Sequence, residues 1–133
     1  YECVTGTGET IELTHYCYVR DGFTYIPMDF AKTLFRKSIL DMKENMEIID
    51  QFTANWELDR ISEMDKLIMD IAIAELKYFP SIPVKVTLDE FIEISKNYCS
   101  PKSSSFINGV LDKVVILLKE KNQIKKIGRG LME

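Results

Sequence analysis

The chain has 133 residues, of which 46% are hydrophobic and 29% charged, with a formal net charge of −4. That is enough apolar material for one core and one domain. No apolar run approaches the ~20 residues a membrane span needs, and no basic segment followed by an apolar stretch marks a signal peptide. Cys3, Cys17 and Cys99 are odd in number and have no metal or disulfide spacing. This fits a reducing compartment, so a cytoplasmic location is expected. Cys3, His15 and Cys17 lack a fourth ligand, so neither a metal nor any other cofactor is expected. The chain does not begin with Met, so a preceding segment is expected. Charge is uneven: residues 1–83 hold 8 basic and 15 acidic residues, residues 84–133 hold 9 and 6. An acidic half that suits a basic protein is thus joined to a basic half that suits phosphates, unless each is a plain solvated face.

In chain order, residues 1–26 read as an irregular or β-containing arm. Thr5-Gly6-Thr7-Gly8 is a loop signal, and Asp21-Gly22 between Thr10–Val19 and Phe23–Ile26 signals a hairpin. Pro27 opens a helical pattern in which Phe30, Leu34, Phe35, Ile39 and Met42 recur at three- and four-residue steps, continued by Met46 and Ile49, with a break near Asp41. Lys32, Arg36, Lys37 and Lys43 lie on or near its polar side. A connector holding Trp56 follows. Ser62 then fits an N-cap, with Asp65 reaching back, for a helix from Glu63 to about Phe79. That helix is apolar on most sides (Met64, Leu67, Ile68, Ile71–Ala74, Leu76), so it is the expected central helix. Pro80 and Pro83 end it. Thr87 and Glu90 form a second capping-box pattern for a helix to about Tyr98. Ser100-Pro101 reads as N-cap and N1 of the last helix, to about Lys121, with a stripe of Phe106, Ile107, Val110, Leu111, Val114, Leu117 and Leu118. The basic tail after it is expected to fray. The expected fold is all-α: an arm at 1–26, an antiparallel helical bundle at 27–121 and a basic tail at 122–133.

Catalytic patterns are lacking. There is one histidine, no Gly-rich phosphate loop after a strand and no His/Glu metal pair at helical spacing, so no enzyme is expected. Asp89–Glu90 and Asp59–Glu63 read as cap and solvated face.

Four blocks stand in order: Asn55–Asp65 (NWELDRISEMD), Ile71–Leu76 (IAIAEL), Ser81–Glu93 (SIPVKVTLDEFIE) and Ser103–Asp112 (SSSFINGVLD). The string FINGVLD is the most specific. Together they resemble the C-terminal half of the NusB transcription antitermination factors, over roughly Asp29–Leu118. The resemblance implies an all-helical fold. It also implies binding of boxA RNA together with the ribosomal protein NusE, and through them an indirect action on the RNA polymerase antitermination complex, with no membrane role. By motif it places Lys102, Ser103, Ser104, Ser105 and Phe106 on the RNA surface. There a helix start, hydroxyls, a cation and an aromatic ring suit phosphate and an unpaired base. It places Asp59, Glu63, Asp65 and Lys66 toward NusE, whose basic surface an acidic helix start would steer. The bland readings stand beside these: serines as caps, Phe106 as core, acids as complements to the helix dipole. Trp56 reads as packing and Arg60 as an ion-pair anchor. Asn108 and Gly109 read as structural, since Gly in a helix costs ~1 kcal/mol and close helix packing would justify it. One departure is that residues 1–26 contain a single basic residue, Arg20, where the family has an Arg-rich segment. Either that segment is cut away or RNA affinity is reduced. Two other functions fit the same pattern: the RNA-binding domain of a ribosomal RNA methyltransferase, and a helical protein-interaction domain without RNA.

Overall fold

A computed structural model describes residues 28–54 and 61–131, and the backbone of four three-residue strands before them. Strand β1 (Glu2–Val4) pairs antiparallel with β2 (Thr10–Glu12), and β3 (Tyr18–Arg20) with β4 (Phe23–Tyr25). In the second pair Arg20 faces Phe23, so two residues connect the strands, the length at which Asp-Gly is favoured. Asp21, Gly22, Thr5–Gly8 and Pro27 themselves lie outside the described residues, as do the side chains of Cys3, His15 and Cys17.

Five helices follow: α1 (Met28–Leu40), α2 (Met42–Thr53), α3 (Glu63–Tyr78), α4 (Val84–Tyr98) and α5 (Ser103–Glu120). Helix α3 packs against all four others. Ile68, Met69, Ala72 and Ile73 of α3 meet Ile48 and Ile49 of α2, Phe91 of α4, and Ile107, Leu111, Val114 and Leu118 of α5. Around the far side of α3, the Phe30 ring of α1 meets Phe79 edge-on at 4.8 Å. A helix enclosed this way must be apolar nearly all round, and small Ala72 and Ala74, both fully buried, let its neighbours approach. The stripe on α1 is only half used: Phe30 and Leu34 are half-buried, whereas Phe35, Ile39, Leu40 and Met42 are exposed.

The break at Asp41 is where the pattern places it. Asp41 has φ −97° and ψ 6°, yet its N–H still reaches the Lys37 carbonyl at 3.0 Å and its carbonyl still accepts from Asn45 at 2.8 Å. The axis bends without losing the ladder, and the aspartate side chain, a poor helix former, is occupied elsewhere. At the head of α3 both bonds of the capping box are made: Asp65 N–H to Ser62 Oγ and Ser62 N–H to Asp65 Oδ2, each at 3.1 Å.

Two helix starts differ from the sequence expectation. Helix α4 begins at Val84 with Pro83 as N-cap, not at the Thr87–Glu90 box. The Thr87 N–H bonds the Pro83 carbonyl at 3.2 Å, and Thr87 is fully buried inside the helix. Pro83, at φ −59° and ψ 146°, takes the N-cap position, and Thr87 lies one turn inside. Helix α5 begins at Ser103, because Ser100–Lys102 form a turn closed by the Ser103 N–H on the Ser100 carbonyl at 2.9 Å.

The end of α5 corrects a larger expectation, that the tail frays. Asn122 takes φ 56°, its N–H bonds the Lys119 carbonyl at 3.1 Å, and the Gln123 N–H bonds the Leu118 carbonyl at 2.8 Å. These are the two bonds of a Schellman turn, which folds the following segment back over the bundle. Ile124 packs on the core. The Ile127 N–H bonds the Pro80 carbonyl at 3.1 Å and Lys126 Nζ bonds the Phe79 carbonyl at 3.0 Å. Burial brings the Lys126 amine down to about 8, opposed by nearby Glu75. A short 3-10 helix, Gly128–Leu131, completes the segment. Gly130 touches the α3–α4 turn so closely that a Cβ there would lie 1.9 Å from the Pro80 carbonyl oxygen.

Candidate nucleic-acid interface

The connections between α3 and α4 and between α4 and α5 are short, so the three helices alternate in direction. The start of α3, the end of α4 and the start of α5 therefore share one end of the bundle. Cys99, at the end of α4, lies beside the Asp65 carboxylate at the head of α3; burial first, and then that carboxylate, push its thiol up to about 11. Cys99 is accordingly a protonated packing residue.

At this end, no side chain caps α5. Lys102 holds the N-cap position and its side chain has no acceptor, so no side chain caps the first turn, in which the Ser103 N–H is bonded to the Ser100 carbonyl. Lys102 and Ser105 are exposed, Ser104 is half-buried, and Phe106 is half-buried against the edge of the core. Ser103 differs: it is buried, and its hydroxyl is paired with that of Ser100 at 3.0 Å. Of the five residues singled out on α5, four reach the surface together and Ser103 holds the turn beneath them. Beside them runs an open groove of ≈ 450 Å³ lined by Asp89, Ile92, Glu93, Lys96, Ser104, Ser105 and Asn108. Lys96 and Glu93 pair across one turn at 3.5 Å, both well exposed, an arrangement worth little to stability.

The expectation for Gly109 is overturned. Among the described residues a Cβ there would meet nothing within 4 Å, so close packing of the five helices is not why it is glycine. Asn108 and Gly109 are both exposed on α5. The helix carries the ~1 kcal/mol cost of an interior glycine at an exposed position.

The four partner residues divide likewise. The Glu63 side chain is 95% exposed and pairs loosely with Lys66 at 3.8 Å. Asp65 is 1% exposed and spent on the capping box, so it supports the helix start rather than presenting charge. Asp59, Trp56 and Arg60 lie outside the described residues. Among the described residues, no group of His, Cys, Asp and Glu could hold a metal ion, and no helix is long and apolar enough to cross a membrane.

The opposite end of α3 holds a polar cluster that pattern reading missed. Lys77 Nζ donates to Asp41 Oδ2 at 2.8 Å and to Asn45 Oδ1 at 3.0 Å. Asn45 Nδ2 donates to Asp70 Oδ1 at 2.8 Å, and the Tyr78 hydroxyl donates to Asp41. Lys37 lies 4.7 Å from the centre of the Tyr78 ring. Burial alone would raise the Asp41 carboxyl, but the Lys77 and Tyr78 hydrogen bonds and the charges of Lys77 and Lys37 hold it below its usual value. Burial raises Asp70, against the Asn45 bond. Tyr78 is pushed up to about 12, chiefly by its bond to Asp41. The one sequence signal is a polar Asn45 and Asp70 inside otherwise apolar stripes.

A match to the NusB family spans residues 22–115. The chain belongs to the NusB family. It is 42% identical over 104 residues to the transcription antitermination protein NusB of Salinibacter ruber, covering 78% of this chain and 65% of that protein. It is 43% identical over 107 residues to the NusB of Chloroherpeton thalassium, covering 77% and 51%. The chain thus spans about half to two thirds of the length of these relatives. The NusB of Dictyoglomus turgidum is 33% identical over 126 residues, 95% of this chain and 82% of that protein. The solved structure of T. maritima NusB superposes with a TM-score of 0.66 at 30% identity, covering 74% of this chain and 71% of that one. This is the NusB helical fold, as the four sequence blocks imply, and the curated relatives are named as antitermination proteins rather than enzymes.

Proposed function

We propose that the chain acts in transcription antitermination as an RNA- and protein-binding unit. In this reading it pairs with ribosomal protein NusE, holds boxA RNA of ribosomal operons, and acts on RNA polymerase only through that assembly, in the cytoplasm. Residues 27–121 are the binding unit, residues 1–26 an arm and residues 122–133 a basic tail. The observation that carries the reading is the open start of α5, where an uncapped helix end, exposed Lys102 and Ser105 and the edge of Phe106 lie together. Unpaired N–H groups and the partial positive charge of the helix end suit a phosphate. Lys102 adds a full charge, Ser104 and Ser105 add hydroxyl donors, and the Phe106 edge suits a base turned out of its stack. NusE is taken on the neighbouring α3 start, where Glu63, Lys66 and Asp59 form the contact and Asp65 fixes the helix head. Sharing one end of the bundle lets a bound protein and a bound RNA touch each other.

The test is a titration with NusE, then with boxA RNA at two salt concentrations. The reading predicts NusE binding, a higher RNA affinity in its presence, and weakening of that affinity with salt. A folded chain that takes neither NusE nor RNA would contradict it.

A further inference from the structure

A second cavity lies along the same pair of helices, at the end away from Lys102. It has a volume of ≈ 580 Å³ and is closed on one side by the folded-back C-terminal segment. That size is within the range of small-molecule and cofactor pockets. Its apolar lining comes from Val84 and Leu88 of α4 and from Ile124 and Leu131 of the segment; Lys85 and Lys119 add exposed cations. The wall is built rather than incidental. The Schellman turn at Asn122 aims the segment, two bonds to Phe79 and Pro80 hold it, and Gly130 alone permits the contact with Pro80.

Asp89 and Asn108 line both this cavity and the groove beside Ser104 and Ser105. The two therefore adjoin, end to end between α4 and α5, and from Ser104 to Lys119 the helix rises about 22 Å. Cations stand at both ends, Lys96 beside its partner Glu93 in the groove and Lys85 and Lys119 in the cavity, with Asp89 between them. An apolar floor with cations at its edge suits a flat base joined to a phosphate. A carboxylate midway repels phosphate and accepts hydrogen bonds from a ribose hydroxyl or a base amine.

We propose that the RNA strand held at the start of α5 continues along the α4–α5 groove and seats a further nucleotide in the adjoining cavity closed by the C-terminal segment. This rests on the RNA reading above and extends it to a part of the chain that the FINGVLD block does not include. Lys85 and Lys119 take the phosphates on either side of the seated nucleotide, and Val84, Leu88, Ile124 and Leu131 take its base.

The experiment compares two RNAs on the NusE-bound chain by fluorescence anisotropy, a short one and one lengthened at each end by about five nucleotides. The longer strand should bind about tenfold more tightly, with a salt slope steeper by about 1.4 for two added phosphate contacts. In a Lys85→Ala/Lys119→Ala variant the ratio of the two affinities should fall to near one. Gly130→Val, which forces the segment off Pro80, should do the same, with circular dichroism to confirm that the helices remain. A short RNA that binds while the added length contributes nothing overturns the inference, as does a gain that survives both variants. A free nucleoside monophosphate that binds the cavity without any gain for the longer strand also overturns it. If neither RNA binds, the RNA reading itself fails.

Discussion

The two ends of α3 treat polar groups in opposite ways. At the far end Asp41, Asn45, Asp70, Lys77 and Tyr78 bond one another, across 25 to 37 residues of sequence. At the near end Lys102 and Ser105 face solvent above an uncapped helix start, and Gly109 keeps the face beside them low at a cost to the helix. A polar group bonded inside the fold fixes geometry, because removing its partner strands a desolvated atom. A polar group left open does nothing for the fold and is available to a ligand. The far end is therefore read as the clamp that sets the α1–α2 bend on α3, and the near end as the surface that binds.

The largest effect should come from breaking the clamp. Replacing Lys77 by Met keeps the aliphatic stem but removes the donor to Asn45 Oδ1 and leaves Asp41 with the Tyr78 hydroxyl but without its cation. Urea melting should show a loss of about 3 kcal/mol, toward the low end for a shielded ion pair because Asp41 keeps an edge in solvent. RNA affinity at a temperature where the variant is folded should not move. A smaller change, of opposite sign, should come from the near end. Gly109→Ala should raise stability by about 1 kcal/mol on the same melting curve, while weakening RNA or NusE binding in a titration. An alanine that stabilises the chain and leaves both ligands untouched would remove the argument drawn from that glycine.

The smallest effect is a pH dependence confined to the far end. Asp41, held below 3.8, contributes stability that is present above that value and lost as pH falls through its folded pKa. Asp70 is raised above 3.8, so it binds its proton more tightly in the folded chain; its charging opposes folding as pH rises past 3.8. Asp70→Asn keeps an oxygen for the Asn45 amide and removes the charge. Its stability relative to the parent chain should therefore rise between pH 4 and neutrality, measured as urea midpoints across that interval. A difference that does not vary with pH would show that Asp70 is not strained by burial.

Features set by a few neighbouring residues were legible in the sequence. The Ser62–Asp65 capping box, the bend at Asp41, the pairing of β3 with β4 and the enclosed α3 all follow from local spacing. The start of α4 differs from the Thr87–Glu90 pattern because the helix already runs from Val84, with Pro83 as its N-cap. Asp65 and Ser103 looked like surface groups because helix starts are rich in such residues; both are buried where the α3 head meets the α4–α5 turn. The clamp and the folded-back segment were illegible for a different reason. Their partners, such as Lys77 with Asp41 or Gly130 with Pro80, are dozens of residues apart and follow no helical period.

The most direct test of the division between the two ends is the salt dependence of boxA RNA binding to the NusE-bound chain, with and without Lys102→Ala. The account predicts affinity that falls as salt rises. It also predicts a variant that binds more weakly at every salt concentration, with a slope shallower by about 0.7, one single-strand phosphate contact. A variant with the parent's affinity and slope would contradict the claim that the open start of α5 is the nucleic-acid surface.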